Sequence, residues 1–233
     1  MKLIRNSRAS EEVSRIAGLI ELDIVFGRLK PRERLVEDDL IGRFDSKRHV
    51  VRSALQDLER LGILVRHKNR GASVRDFPPR EVEELYDVRA TLQRRAAEII
   101  PLPAPRELTD ALEGLHLKHC RAVADGDLRR VFELNNTFHD TLFAACGNRH
   151  LAEAIGHYAW LSHAIRSYRM GDPQLLEQAR HEHGQMIEAL RQGDRTALVR
   201  LCVEHINPSK EIYLRSCLIS PEAAPAAVAA DYR

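Results

Sequence analysis

Aromatic residues are scarce in this 233-residue chain, at 5% of the total with a single Trp. A core built mostly from Leu, Ile, Val and Ala, with many Arg and Glu between them, favours helices over a β-sandwich or barrel. Cysteine is sparse as well: Cys120, Cys146, Cys202 and Cys217 lie far apart with no CxxC pair, which argues against a zinc ribbon and a disulfide framework. No apolar run approaches the ~20 residues of a membrane span, and the basic opening MKLIRNSRAS has no apolar signal segment after it. These absences point to a cytoplasmic protein in a reducing compartment with no membrane part. No internal repeat is evident.

What is present is charge, unevenly placed. The net charge of +2 divides into 17 Lys and Arg against 12 Asp and Glu over residues 1–76, and 19 against 22 over the remainder. A basic first third joined to a slightly acidic body suggests that only the first part meets a polyanion. DFPPRE at 76–81 is the natural boundary, because consecutive prolines stiffen the chain and stop a strand from running into a helix. The expected organisation is a unit at 1–76, a linker at 77–79, an all-helical unit at 80–218, and a tail at 219–233 without the periodicity of a packed helix.

Within the first unit, SEEVSRIAGLIELDIVFG carries a helical stripe of Val13, Ile16, Leu19, Ile20 and Ile24, opened by a Ser10 cap and ended near Gly27. VEDDLIGRF is a short second helix, and SKRHVVRSALQDLERLG a third ending at Gly62. ILVRHKNRGASVRDF reads as two strands about a turn at 69–71. Three helices and a hairpin make a winged helix-turn-helix. Beyond the prolines, breaks at 101–105, 125–127, 146–148, 171–173 and 192–194 leave six helices, an all-α antiparallel bundle.

On the third helix Val51, Ala54, Leu55, Leu58 and Leu61 share one face, with His49, Arg52, Ser53 and Gln56 opposite and Arg48 at the flank. Arg can bond guanine O6 and N7 together, and a recognition helix presents such side chains to the major groove. The hairpin offers Arg66, His67, Lys68 and Arg70 to phosphates or the minor groove, and Gly71 permits close backbone approach. The plainer reading is a solvated helix face beside a charged turn. Helix, basic face and basic hairpin in this order favour double-stranded DNA.

The stretch FGRLKPRERLVEDDLIGRFDSKRHVVRSALQDLERLGILVRHKNRGASV resembles the DNA-binding domain of GntR-family bacterial transcription regulators of the FadR/FCD branch. The resemblance implies that Arg34, Arg48 and Arg52 are DNA-contacting arginines and Gly71 the glycine of the wing tip. Four positions depart from the family pattern: Arg32 stands for Gly, Lys47 for the capping Ser, His49 for Thr and Val50 for Pro. Lys cannot accept a backbone N–H, so Asp45 or Ser46 is expected to cap instead.

The sequence has 11 histidines, and a single helical His is more often a surface or core residue than a ligand. His116, His119, His150, His157 and His181 have no argued pairing, and HEHG at 181–184 is not the H-E-x-x-H of zinc proteases. NNTFHDTLF is different, because it sets Asn135 and His139 one turn apart on one helix face. Spacing alone leaves a metal site as the weaker reading. NNTFH, AACGN and EHGQMIEALRQGD, followed by His205 eleven residues after Asp194, are similar to the FCD ligand domain. That resemblance implies a divalent metal at Asn135, His139, His183 and His205, Zn or Ni foremost with Mn or Co as alternatives. A neutral amide at 135 is a poorer donor than carboxylate.

The same resemblance implies a dimeric, metabolite-responsive regulator, most often a repressor, acting on a pseudopalindromic operator and answering to a small carboxylic acid. Arg89, in a segment like the family's R-x-x-L-E with Gln93 in place of Glu, is an effector partner or a surface salt bridge. Arg166 and Tyr168 follow an apolar helix expected to line the same cavity. Two rivals stand beside this reading. A three-His metal-dependent hydrolase needs an open metal position and a general base, and no motif places that base. A winged helix used only for protein contacts would bind DNA weakly and with little dependence on salt.

Overall fold

The computed structural model describes residues 2–67, 71–170 and 172–219, and the side chains of these except 2–9, 167–170 and 218–219. Arg70, the Tyr168 side chain and the tail beyond residue 219 therefore lie outside the described residues. The first unit runs α1 (Lys2–Val25), β1 (Arg34–Leu35), α2 (Glu37–Phe44), α3 (Arg48–Arg60), β2 (Leu64–His67) and β3 (Gly71–Val74). The second is wholly helical: α4 (Pro79–Ile99), α5 (Arg106–Ala124), α6 (Leu128–Ala144), α7 (Arg149–Leu161), α8 (His163–Met170), α9 (Pro173–Gln192), α10 (Arg195–Glu204) and α11 (Asn207–Ile219).

The winged helix forms as its pattern dictates. Val51, Ala54, Leu55 and Leu58 of α3 are buried against Ile16, Ile20 and Ile24 of α1, the 3.6-residue stripe meeting its partner. The antiparallel sheet has the order β1-β3-β2, with Ala72 opposite both Leu35 and Arg66. Strand β1 is only two residues long, too short to show alternation in the sequence. Three expectations change. Ser10 lies inside α1, whose first residue is Lys2. Neither Asp45 nor Ser46 caps α3: Lys47 is its N-cap without a side-chain bond, and Asp45, at φ 45°, closes α2 in a left-handed conformation.

In the helical unit eight helices are described where six were expected. The extra breaks fall at Ser162, between α7 and α8, and at residues 205–206, between α10 and α11. No Gly or Pro marks the first, whereas Asn207-Pro208 stands at the start of α11 and is a local signal that the expected breaks left out. Buried residues of the winged helix continue into Val82 and Tyr86 of α4, Ala164 and Ile165 of α8, and Tyr213 of α11. Phe77 is buried, and its N–H donates to the Tyr213 hydroxyl at 3.2 Å. A second apolar cluster, including Phe138, Leu142, Met186, Leu190 and Leu198, packs α6, α9 and α10 together.

Candidate nucleic-acid interface and metal centre

Arg34, Arg48, His49, Arg52 and Gln56 are all exposed on the winged helix. A concavity of about 350 Å³ between α2, α3 and the hairpin is lined by Arg34, Arg48, Arg52, Arg66, His67 and Gly71, and by two acids of α2, Glu37 and Asp38. Arg48 Nη2 donates to Asp38 at 2.6 Å, and Arg52 Nε donates to Glu37 at 2.8 Å. The sequence offered the cations of this notch, while the carboxylates that hold them went unread. Gly71 has φ 78°, and a Cβ there would sit 2.7 Å from the Leu35 carbonyl oxygen. Strand pairing thus requires glycine at this position, whatever approaches from outside.

Three helices build the second site. Asp127 and Asp172 cap α6 and α9 by accepting backbone N–H bonds, and Asp194 does the same for α10. Those helices present His139, His183 and His205, the last at the C-terminal end of α10. His139 Nε2 lies 3.1 Å from His205 Nε2 and 3.3 Å from His183 Nε2. Among the described residues these three form the group of His, Cys, Asp or Glu side chains whose ligand atoms converge, all within 4.8 Å of one another. His205 Nδ1 is 2.5 Å from a Glu182 carboxylate oxygen. A proton held on Nδ1 by that carboxylate leaves the Nε2 lone pair directed at the cluster, the usual arrangement of an imidazole ligand. Phe138 stacks on His183 at 4.3 Å between ring centroids, fixing the ring from behind.

The cluster opens into a cavity of about 450 Å³ whose lining includes Asn135, His139 and His205, and also Arg89, Trp160 and Arg166. His183 is fully buried beneath it. Arg89 is not a surface residue: it is 5% exposed, and its Nε and Nη1 are buried without a hydrogen-bond partner. Its guanidinium lies 4.7 Å from the Tyr86 ring centroid. Burial lowers its pKa, with Tyr86 opposing, yet guanidinium keeps its charge in proteins. Arg166 Nη2 donates to the Asn136 side-chain oxygen at 3.1 Å.

Several residues here escaped the sequence reading. His119 is buried with its ring edge-on to His183 at 5.1 Å, and Glu182 supports His205 from the position next to His183. His163 lines the cavity with Nδ1 2.6 Å from Glu21 of α1. Asp140 also faces the cavity; desolvation pushes its pKa up and Arg166 opposes. A carboxylate is therefore near the histidines, so geometry alone does not dispose of a hydrolase.

Comparison with known proteins does. Residues 12–74 match the family described as bacterial regulatory proteins, gntR family, and residues 84–208 match the FCD domain. The chain is 28% identical over 182 residues to the HTH-type transcriptional regulator YdhC of Bacillus subtilis (strain 168), covering 78% of this chain and 81% of that one. It is 24% identical over 197 residues to a Paenarthrobacter nicotinovorans protein named "Probable D-xylose utilization operon transcriptional repressor", covering 83% and 84%. Among solved structures, E. coli McbR/YncC superposes with a TM-score of 0.74 at 18% identity, covering 88% of this chain and 98% of the other. A GntR regulator from Rhodococcus sp. RHA1 gives 0.72 at 20% identity, covering 88% and 99%.

Proposed function

Since the chain belongs to the GntR family of DNA-binding transcription regulators and carries an FCD domain, not an enzyme's catalytic unit, we propose that it is a metabolite-responsive repressor. It acts in the cytoplasm as a homodimer on a pseudopalindromic operator. Arg48 and Arg52 read base edges from α3, His49 and Gln56 lie beside them, and Arg34, Arg70 and the Gly71 turn meet the phosphate backbone. The helical unit holds a divalent metal, Zn or Ni foremost, at His139, His183 and His205 with Asn135 alongside. A metal held there would supply a fixed positive charge at one end of the cavity.

The observation that carries this reading is the shared cavity: a three-histidine cluster and a buried Arg89 guanidinium, whose Nε and Nη1 have no hydrogen-bond partner, open into one space. A buried cation without an anion is unfavourable, and a ligand carboxylate is the group that relieves it. Arg89 binds the effector carboxylate, Glu182 keeps the His205 ring oriented, and Arg166 borders the acid's remaining groups; Tyr168, the other residue expected here, has its side chain outside the described residues. The effector acts only through a difference in affinity between two states of the regulator.

The test is elemental analysis of mildly purified protein. Wild type should hold one divalent ion per subunit. His139→Ala and His183→Ala should lose it while the winged helix keeps its circular dichroism and its DNA affinity. Metal-free wild type that shows no thermal shift with added Zn or Ni would remove the metal from this reading.

A further inference from the structure

Glu37 begins α2, with its side chain only 16% exposed, and stands between the two arginines of α3. Its Oε2 accepts from Arg52 Nε at 2.8 Å and lies 3.6 Å from Arg48 Nη1. Arg48 is held differently: its Nη2 bonds Asp38, whose side chain is 70% exposed. That second pair is an ordinary surface ion pair, easily exchanged for another partner. The first rests on a carboxylate largely withdrawn from water, where screening is weaker.

A guanidinium has two usable donor edges, one through Nε and one through its two terminal nitrogens. Glu37 occupies the Nε edge of Arg52 and leaves Nη1 and Nη2 without a partner among the described residues. The terminal pair is the edge that can meet O6 and N7 of guanine with parallel bonds. We propose that Glu37 is a positioning residue for DNA reading, which holds Arg52 with its terminal edge presented to the notch and sets a negative charge against phosphate contacts that carry no sequence. This rests on the reading of Arg52 as a base-contacting residue.

The two parts of the role separate by substitution. Gln at 37 keeps an acceptor for Nε–H and removes the charge, whereas Ala removes both. A lost anchor lets the long Arg52 side chain sample rotamers whose ordering must be repaid on binding. A lost negative charge strengthens attraction to any duplex, because affinity for DNA follows the count of charges neutralised.

Full-length wild type, Glu37→Gln, Glu37→Ala and Arg52→Ala are titrated against a duplex selected from a random pool and against a random-sequence duplex of equal length, between about 50 and 200 mM salt. Arg52→Ala is expected to lower the selected-to-random affinity ratio by about tenfold or more. Glu37→Ala should lower that ratio comparably, losing affinity for the selected duplex and gaining it for the random one. Glu37→Gln should keep affinity for the selected duplex within about threefold and bind the random duplex more tightly at low salt.

If Arg52→Ala lowers the ratio and Glu37→Ala leaves it unchanged, Arg52 reads DNA without this support and the proposal is overturned. A ratio unmoved by Arg52→Ala removes the base-contact reading itself. Should circular dichroism show Glu37→Ala unfolded, Glu37→Gln decides, since unaltered random-duplex affinity and salt slope in that folded variant overturn the proposal.

Discussion

His163 shows how much a single buried ring carries. Burial pushes its pKa down to about 4 from 6.5; the Glu21 contact opposes this, and the nearby Arg166 and Arg89 reinforce it. The folded state therefore keeps the imidazole neutral at pH values where an unfolded chain would protonate it. Its contribution to stability is intact above pH 6.5 and is lost as pH falls toward 4, amounting to about 2 kcal/mol by pH 5. Denaturant midpoints at pH 7 and pH 5 should differ less for His163→Gln than for wild type; equal differences would sink the assignment. At Gly71 the expectation is steric. Its positive φ and the nearby Leu35 carbonyl make Gly71→Ala destabilising by ~1–3 kcal/mol, read as a lower melting temperature. Legibility at this scale followed spacing. Asn135 and His139 were readable because one helix turn joins them, whereas Glu21, Glu182 and His119 meet their histidine partners only after distant elements pack.

Among elements, α3 was the most legible, since its apolar stripe and polar face occupy one continuous segment. The break at Ser162 was the least, because Ser162 is buried and bonds the Ala159 carbonyl at 2.7 Å without any turn-forming residue nearby. That break matters, because it aims α8, which carries His163 and Arg166, at α1 of the winged helix. The linker is fastened in a similar long-range way. Tyr213 of α11 is buried, its hydroxyl accepting from the Phe77 N–H and lying 3.1 Å from Asp76 Oδ1 and 3.2 Å from the Phe77 carbonyl oxygen. Tyr213→Phe strips the acceptor from a buried N–H, which should cost ~1–3 kcal/mol. Thermal unfolding followed by circular dichroism checks this, and an unchanged midpoint would show that water serves Phe77 equally well.

For the whole molecule the decisive quantity is the number of recognition helices that reach DNA together. One protomer presents a single α3 beside a notch lined by four arginines, Arg34, Arg48, Arg52 and Arg66, enough for a few base pairs and too few for selectivity in a genome. In the proposed homodimer, two protomers related by a two-fold axis would place two copies of α3 in successive major grooves about 34 Å apart, which would match a pseudopalindromic site. The second subunit then binds at the high effective concentration set by the first. Light scattering at micromolar concentration should return twice the 26.5 kDa protomer mass, and scrambling either half of a selected duplex should weaken binding far more than tenfold. A protein that stays monomeric both alone and on that duplex would contradict paired reading and leave α3 acting singly.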